Sequence, residues 1–176
     1  MTTSFSLCTL SRDDILHHLP ALSEILASCV NGGASVSFML PFAPQTAITF
    51  WQRTADSVAA GERIVLGAFD AEERPVGTVQ LITSQPENQP HRADVAKLLV
   101  HQNVRRQGIA QALMSELERI ARRERKTVLV LDTATGSGAE QFYARCGWEK
   151  VGEIPRYALM PDGEMTATSL FYKFLP

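Results

Sequence analysis

The stretch from Arg92 to Asp132 limits the fold more than any other. Residues 92–100 (RADVAKLLV) read as a strand, residues 101–107 as a polar, basic loop, and Ile109, Ala112, Leu113, Leu117 and Ile120 then share one helical face. Residues 127–132 (TVLVLD) are an apolar run ending in an acid, the pattern of a strand buried on both faces. A helix joining two such strands makes a crossover, which places them parallel with the helix on one face of a mixed sheet.

The remaining segments supply further strands and helices for this sheet. Residues 3–10 alternate polar and apolar side chains as a half-buried strand does. Ser11 with Asp14 forms a capping box for a helix bearing Ile15 and Leu16, and Pro20 restarts it. Leu22, Ile25, Leu26, Cys29 and Val30 then recur on one face until Asn31-Gly32-Gly33 stops the helix. Pro44 opens another helix, and Gly61 is placed to end it in the left-handed conformation. Strands are predicted at 63–70, 75–83, 148–154 and 168–175, with a short helix at 138–146. The loop 31–43 is too apolar for an ordinary exposed connection, through Val36, Phe38, Met39, Leu40 and Phe42, and is predicted to fold over something. The sum is an α/β (α+β) fold with about seven strands and about four helices. At 176 residues it is expected to form a single domain, residues 1–176.

Charge and cysteine content narrow the function. A net charge of −2 gives no broad attraction for nucleic acid or anionic membrane, so neither is expected as a partner. The basic run from Arg119 to Lys126 is diluted by Glu118 and Glu124 and reads as the end of a helix. The N-terminus shows no secretion signal and no apolar run spans a bilayer, so a cytoplasmic location is expected. Cys8, Cys29 and Cys146 lack CxxC spacing, and His17 and His18 point to different helical faces; no metal site is expected.

The loop before the long helix holds Arg105, Gly108 and Ala110. A glycine there lets backbone approach a ligand closely, and the unpaired amides of a helix start bind anionic oxygens, together a cradle for a pyrophosphate. The nucleotide motifs GxxxxGK[ST] and GxGxxG are absent. This junction resembles the acetyl-coenzyme A motif, [QR]xxGx[GA], of the GNAT acetyltransferase superfamily. The resemblance implies a mostly antiparallel sheet and an acetyl-CoA-dependent N-acetyltransferase. It implies that Arg105, Arg106, Gln107, Gly108, Ile109 and Ala110 hold the pyrophosphate, while main-chain groups of Leu98, Leu99 and Val100 pair with the pantetheine arm.

Residues 139–148 (AEQFYARCGW) resemble the second signature of that superfamily, a short helix with a tyrosine followed by glycine and an aromatic residue. That likeness makes Tyr143 the proton donor to the leaving thiolate. The common asparagine before this helix is absent, and Ser137 is expected to cover its contact. Transfer also needs a base, since an ammonium is no nucleophile until it loses a proton. Asp94, Asp132 and Glu153 are the candidates by position.

A closer likeness, through Asn31–Val36, Phe38-Met39, Arg92-Ala93, Lys97-Leu98, Leu131–Thr133, Gly152-Glu153, Tyr157 and Pro161–Gly163, is to the tabtoxin-resistance branch, which inactivates an amino-acid-like antibiotic by acetylating it. It implies Asp94 and Asp132 as favoured bases and the loop from Asn31 to Phe42 as substrate cover, with Asn31, Ser35, Phe38 and Tyr157 as substrate contacts. Charge alone offers Arg156 or Tyr157 for a substrate carboxylate. A small-molecule amine is the expected acceptor, antibiotic resistance the expected role, and a homodimer a common assembly in the family. Acetylation of protein N-termini or lysines, and a silent acyl-CoA sensor, are the competing readings.

Overall fold

The computed structural model describes residues 4–176. Seven strands form one sheet: β1 (Ser6–Leu10), β2 (Arg63–Phe69), β3 (Pro75–Ile82), β4 (Arg92–Val100), β5 (Val128–Ala134), β6 (Glu149–Leu159) and β7 (Met165–Phe174). Their order is β1-β2-β3-β4-β5-β7-β6. Every neighbouring pair is antiparallel except β4 with β5, which the crossover makes parallel as predicted. The strand expected from residue 3 is described from Ser6; its first residue lies outside the described residues.

Among the described residues five α-helices cover the sheet: α1 (Arg12–His17), α2 (Leu19–Asn31), α3 (Pro44–Ala59), α4 (Ile109–Arg123) and α5 (Gly138–Arg145). The count exceeds four because Pro20, at the second position of α2, separates α1 from α2. Ser11 caps α1 with a reciprocal capping box to Asp14. One face of the sheet packs against α4 and α5, where Leu113, Met114, Leu117 and Ile120 meet Leu66, Val79, Leu81, Val95 and Leu129. The other packs Leu10, Val65 and Leu99 against α1, α2 and α3.

Gly77 fixes how closely α4 approaches. A Cβ there would lie 3.1 Å from Ile109 Cγ2 and 3.2 Å from the Leu99 carbonyl. Its absence seats the first turn of α4 on the sheet beside the end of β4, which sets the position of the loop between them.

The hairpin differs from expectation. The last two strands run to Leu159 and from Met165, where the sequence suggested 154 and 168. Pro155 reads as a strand breaker, but β6 is an edge strand with a bulge between Ile154 and Ala158, and a residue without an N–H is tolerated there.

Trp51 is fully buried between α2 and α3, and its Nε1 donates to the Leu22 carbonyl at 2.9 Å. Trp51→Ala is expected to cost ~3–5 kcal/mol through the cavity and the lost hydrogen bond. A urea titration that showed an unchanged midpoint would contradict this packing.

Candidate active site

β4 and β5 pair only at Arg92, Ala93 and Asp94, opposite Val128, Leu129 and Val130. Beyond that point they diverge, β5 staying with β7 while β4 stays with β3. A bulge increases the divergence. Ala96 pairs with Gln80 and Leu99 with Thr78, so β4 carries one residue more than β3, and Lys97 adopts a φ of 54°. Residues 97 and 98 therefore have no register partner on β3, and backbone polar groups near the fork are left without a ladder. Between the strands lies a groove of about 570 Å³. It is bounded by residues 33–37, residues 95–98, residues 132–134, the start of α5 and the β6–β7 hairpin.

The loop between β4 and α4 lies beside this groove. Arg106 has a φ of 64° and Gly108, the N-cap of α4, a φ of 80°. No side chain caps the helix. Among the described residues the backbone N–H groups from Arg106 to Gln111 have no intramolecular acceptor, and the first helical bond runs from Ala112 to the Gly108 carbonyl. Such a run of unpaired donors at the positive end of a helix is an anion cradle. Arg105 lines the groove, while Arg106 and Gln107 are exposed on the loop. Ile109 turns into the core and seats the helix, and Leu98 faces the groove, whereas Leu99 is buried on the α2–α3 side. Val100 closes the ladder opposite Gly77.

Gly108→Val is expected to weaken coenzyme A binding at least tenfold, about 1.4 kcal/mol, by calorimetry. A β-branched residue is strained at this φ and would crowd an approaching phosphate. The protein itself leaves the space open, since a Cβ at Gly108 meets nothing within 4 Å, so the fold should survive.

At the other side of the groove stand Ser137 and Tyr143. Ser137 precedes α5, and its Oγ is buried without a partner, a hydroxyl free for a ligand. Tyr143 is 8% exposed and packs against Phe142, Trp148 and Phe171. Burial, with the nearby Cys146 and Asp132, pushes its phenol up to about 12. It therefore holds its proton throughout the neutral range.

The carboxylates divide. Asp132 lines the groove, and Thr168 Oγ1 donates to its Oδ2 at 2.7 Å. Asp94 does not reach the groove lining: Arg92 Nη1 donates to its Oδ1 and Gln85 Nε2 to its Oδ2 at 3.1 Å. It lies where β4 still pairs with β5, below the fork. Glu153 is also outside, on the edge strand with Lys150.

The loop after α2 borders the groove through residues 33–37, while its apolar Val36, Phe38 and Phe42 pack on the α2–α3 core and Met39 and Leu40 are exposed. Leu40 N–H donates to the Pro161 carbonyl at 2.9 Å, tying the loop to the β6–β7 hairpin. Ser35 and Tyr157 line the groove. Phe38 instead faces a second cavity beside it, Asn31 ends α2 away from the lining, and Arg156 stays outside on the β6 bulge. Thr168 and Lys97 are groove residues to which the sequence reading gave no role. Thr168 orients Asp132, and Lys97 Nζ donates to Ser37 Oγ at 3.3 Å. Burial lowers the ammonium of Lys97, Asp132 opposes that shift and Arg63 adds to it. The sequence carries no glycine or proline to mark the bulge that turns Lys97 inward.

Comparison with known proteins agrees with this geometry. The acetyltransferase (GNAT) family model matches residues 29–148. A chain from Acinetobacter baylyi provisionally assigned as an acetyltransferase is 16% identical with a TM-score of 0.82, over 99% of this chain and 95% of that one. A chain from Salmonella typhimurium provisionally assigned as an acetyltransferase and solved with its cofactor acetyl-CoA is 15% identical with a TM-score of 0.78, over 99% and 95%. A chain provisionally assigned as a phosphinothricin N-acetyltransferase is 18% identical with a TM-score of 0.78, over 98% and 99%. Identities this low establish the shared fold and leave the acceptor open. With the forked strands, the bulge and the unpaired amides before α4, the family match shows that this chain belongs to the acetyltransferase (GNAT) family and is an acetyl-CoA-dependent N-acetyltransferase.

Proposed function

We propose that the enzyme acetylates the amine of a small amino-acid-like molecule by direct transfer within one ternary complex. The observation that supports this reading best is the groove walled by residues 33–37, whose loop is fastened to the hairpin through Leu40 and Pro161. A groove bounded on that side suits a small acceptor better than a peptide running through it. The role in antibiotic resistance belongs to the same proposal, supported by the sequence likeness alone.

In this reading the amides of residues 106–111 hold the diphosphate, Ser137 adds a hydroxyl contact, and Leu98 to Val100 flank the pantetheine arm. Asp132, held ready by Thr168, takes the proton from the acceptor ammonium directly or through water. The free amine adds to the thioester carbonyl, whose developing oxyanion is stabilised by backbone donors at the bulge of β4. Collapse breaks the C–S bond, and Tyr143 gives its proton to the thiolate. The second proton of the amine nitrogen passes through water to the tyrosinate and Asp132 releases the first to solvent, so that an amide and free coenzyme A leave. No cysteine takes part; Cys29 and Cys146 both have their thiols pushed up, first by burial. Asp94, paired to Arg92, is assigned a supporting place in the fork rather than a share of the proton transfer.

Thiol release from acetyl-CoA with amino acids, dipeptides and polyamines tests this proposal. Release with a small amine supports it, and turnover confined to peptide N-termini within folded proteins or to lysine side chains would replace it. Edge strand β6, with exposed Val151, Ile154 and Leu159, supports a homodimer, which light scattering would detect.

A further inference from the structure

The second cavity, about 430 Å³, opens beside the groove between α3 and the sheet. Its lining includes Arg53 and Arg63 and no aspartate or glutamate. Arg53 makes no ion pair or hydrogen bond with another described residue. Arg63 donates from Nε to Ser57 Oγ at 2.9 Å and from Nη1 to Gln80 Oε1 at 2.8 Å. Ser57 in turn donates to Glu62 Oε1 at 2.7 Å, and Arg63 itself makes no ion pair among the described residues. Gln80 is fully buried, and its Nε2 has no acceptor. Two guanidinium groups thus line the cavity with no carboxylate in its wall, the unpaired Gln80 amide lies behind Arg63 outside the lining, and Phe38 and Phe50 stand edge to face beside them at 5.6 Å. Arg53 is exposed and Arg63 half-buried, so it is Arg63 above all that gains when a ligand carboxylate gives its guanidinium a charged partner.

We propose that this cavity holds the carboxylate of the acceptor, with Arg53 and Arg63 as its anchors and Phe38 and Phe50 flanking the adjoining side chain. The inference rests on the acetyl-transfer reading above and names the class of acceptor. The two sites belong together. Ser37, next to Phe38, is bonded to Lys97 in the groove, and the charge of Arg63 is felt at Lys97. Gln80 on β3, where the guanidinium ends, is two strands from Asp132 on β5. That is more than ~10 Å at backbone level, since β4 and β5 part beyond Asp94; the reaching side chains take up part of it, and an extended two-residue acceptor spans ~7 Å of the rest. An acceptor with its amine at Asp132 and its carboxylate at Arg63 therefore has about the length of a dipeptide.

The test compares X-Ala dipeptides with their C-terminal amides, using thiol release by the wild type and by Arg53→Ala and Arg63→Gln. Arg53 is exposed on α3 and its truncation should leave the fold intact. The best dipeptide should lose at least tenfold in kcat/KM on amidation, mainly through KM. Each variant should lose about tenfold on the acid and little on the amide. Amides as good as the acids, or variants that lower both equally, would overturn the proposal. So would turnover of uncharged amines with none of any dipeptide. A side-chain NMR titration of the coenzyme A complex with Ala-Ala and with Ala-Ala-amide separates this inference from its parent. If the Arg53 and Arg63 Nε–H signals move with the acid alone while no amine releases thiol, the subsite stands and the transfer reading falls. If neither compound moves them, the subsite falls.

Discussion

Tyr143→Phe should lower kcat ~10²–10⁴-fold, the range for loss of a general acid, while leaving the affinity for acetyl-CoA within a few-fold. The substitution keeps the ring that packs on Trp148 and Phe171 and removes one hydroxyl from the groove, so stability should change little. The pH profile gives a sharper check. With the phenol pushed up to about 12, its proton is retained below that value and lost only above it. Titration of Tyr143 thus produces no basic limb between pH 6 and 10, and wild type and variant should have profiles of the same shape, displaced vertically. A kcat equal to that of the wild type would remove Tyr143 from the chemistry. A basic limb near neutrality present only in the wild type would show the phenol titrating there, against its burial.

Asp132→Asn should reduce kcat/KM for the acceptor by a similar ~10²–10⁴-fold, because an amide still accepts the Thr168 hydroxyl but cannot take a proton. The pH dependence should change form. When only amine already free in solution reacts, the rate rises tenfold per pH unit up to the acceptor's own pKa, ~7.7–8.0 for an α-amine or ~10.4 for a lysine-like one. The wild type should be much flatter over that interval. Asp94→Asn should cost far less in kcat, since Asp94 is bonded to Arg92 and Gln85 below the fork. Equal losses in both variants would mean that the carboxylates act as a pair and that the division between them is wrong.

The contrast between those acids shows what sequence could and could not reveal. Both stand on strands beside the cofactor motif, and nothing local distinguishes them. What separates them is the turn at 84–91, which brings Gln85 back to Asp94, and the point at which β4 leaves β5. Both are tertiary facts. The cradle was legible because it is local: a glycine at φ 80° next to a helix with a strict apolar stripe needs no distant partner to be recognised. That residues 31–43 must cover something was legible from composition, and what Val36, Phe38 and Phe42 cover is the core between α2, α3 and the sheet. Lys97 was hidden because a bulge made by an ordinary lysine leaves the strand pattern of residues 92–100 unbroken. Phe38, read as a substrate contact in the groove, faces the neighbouring cavity instead, and the pairing of Arg53 with Arg63 across α3 and β2 has no signature along the chain.

All of this depends on the amides before α4 receiving the diphosphate of the coenzyme. Titrating the ¹⁵N-labelled protein with coenzyme A tests that directly, because each backbone N–H reports its own environment. The account predicts that the signals of Arg106 to Gln111 and of Ser137 move and saturate together at one ligand per chain. Saturable binding that left those amides unmoved while signals elsewhere shifted, or no binding at all, would contradict it.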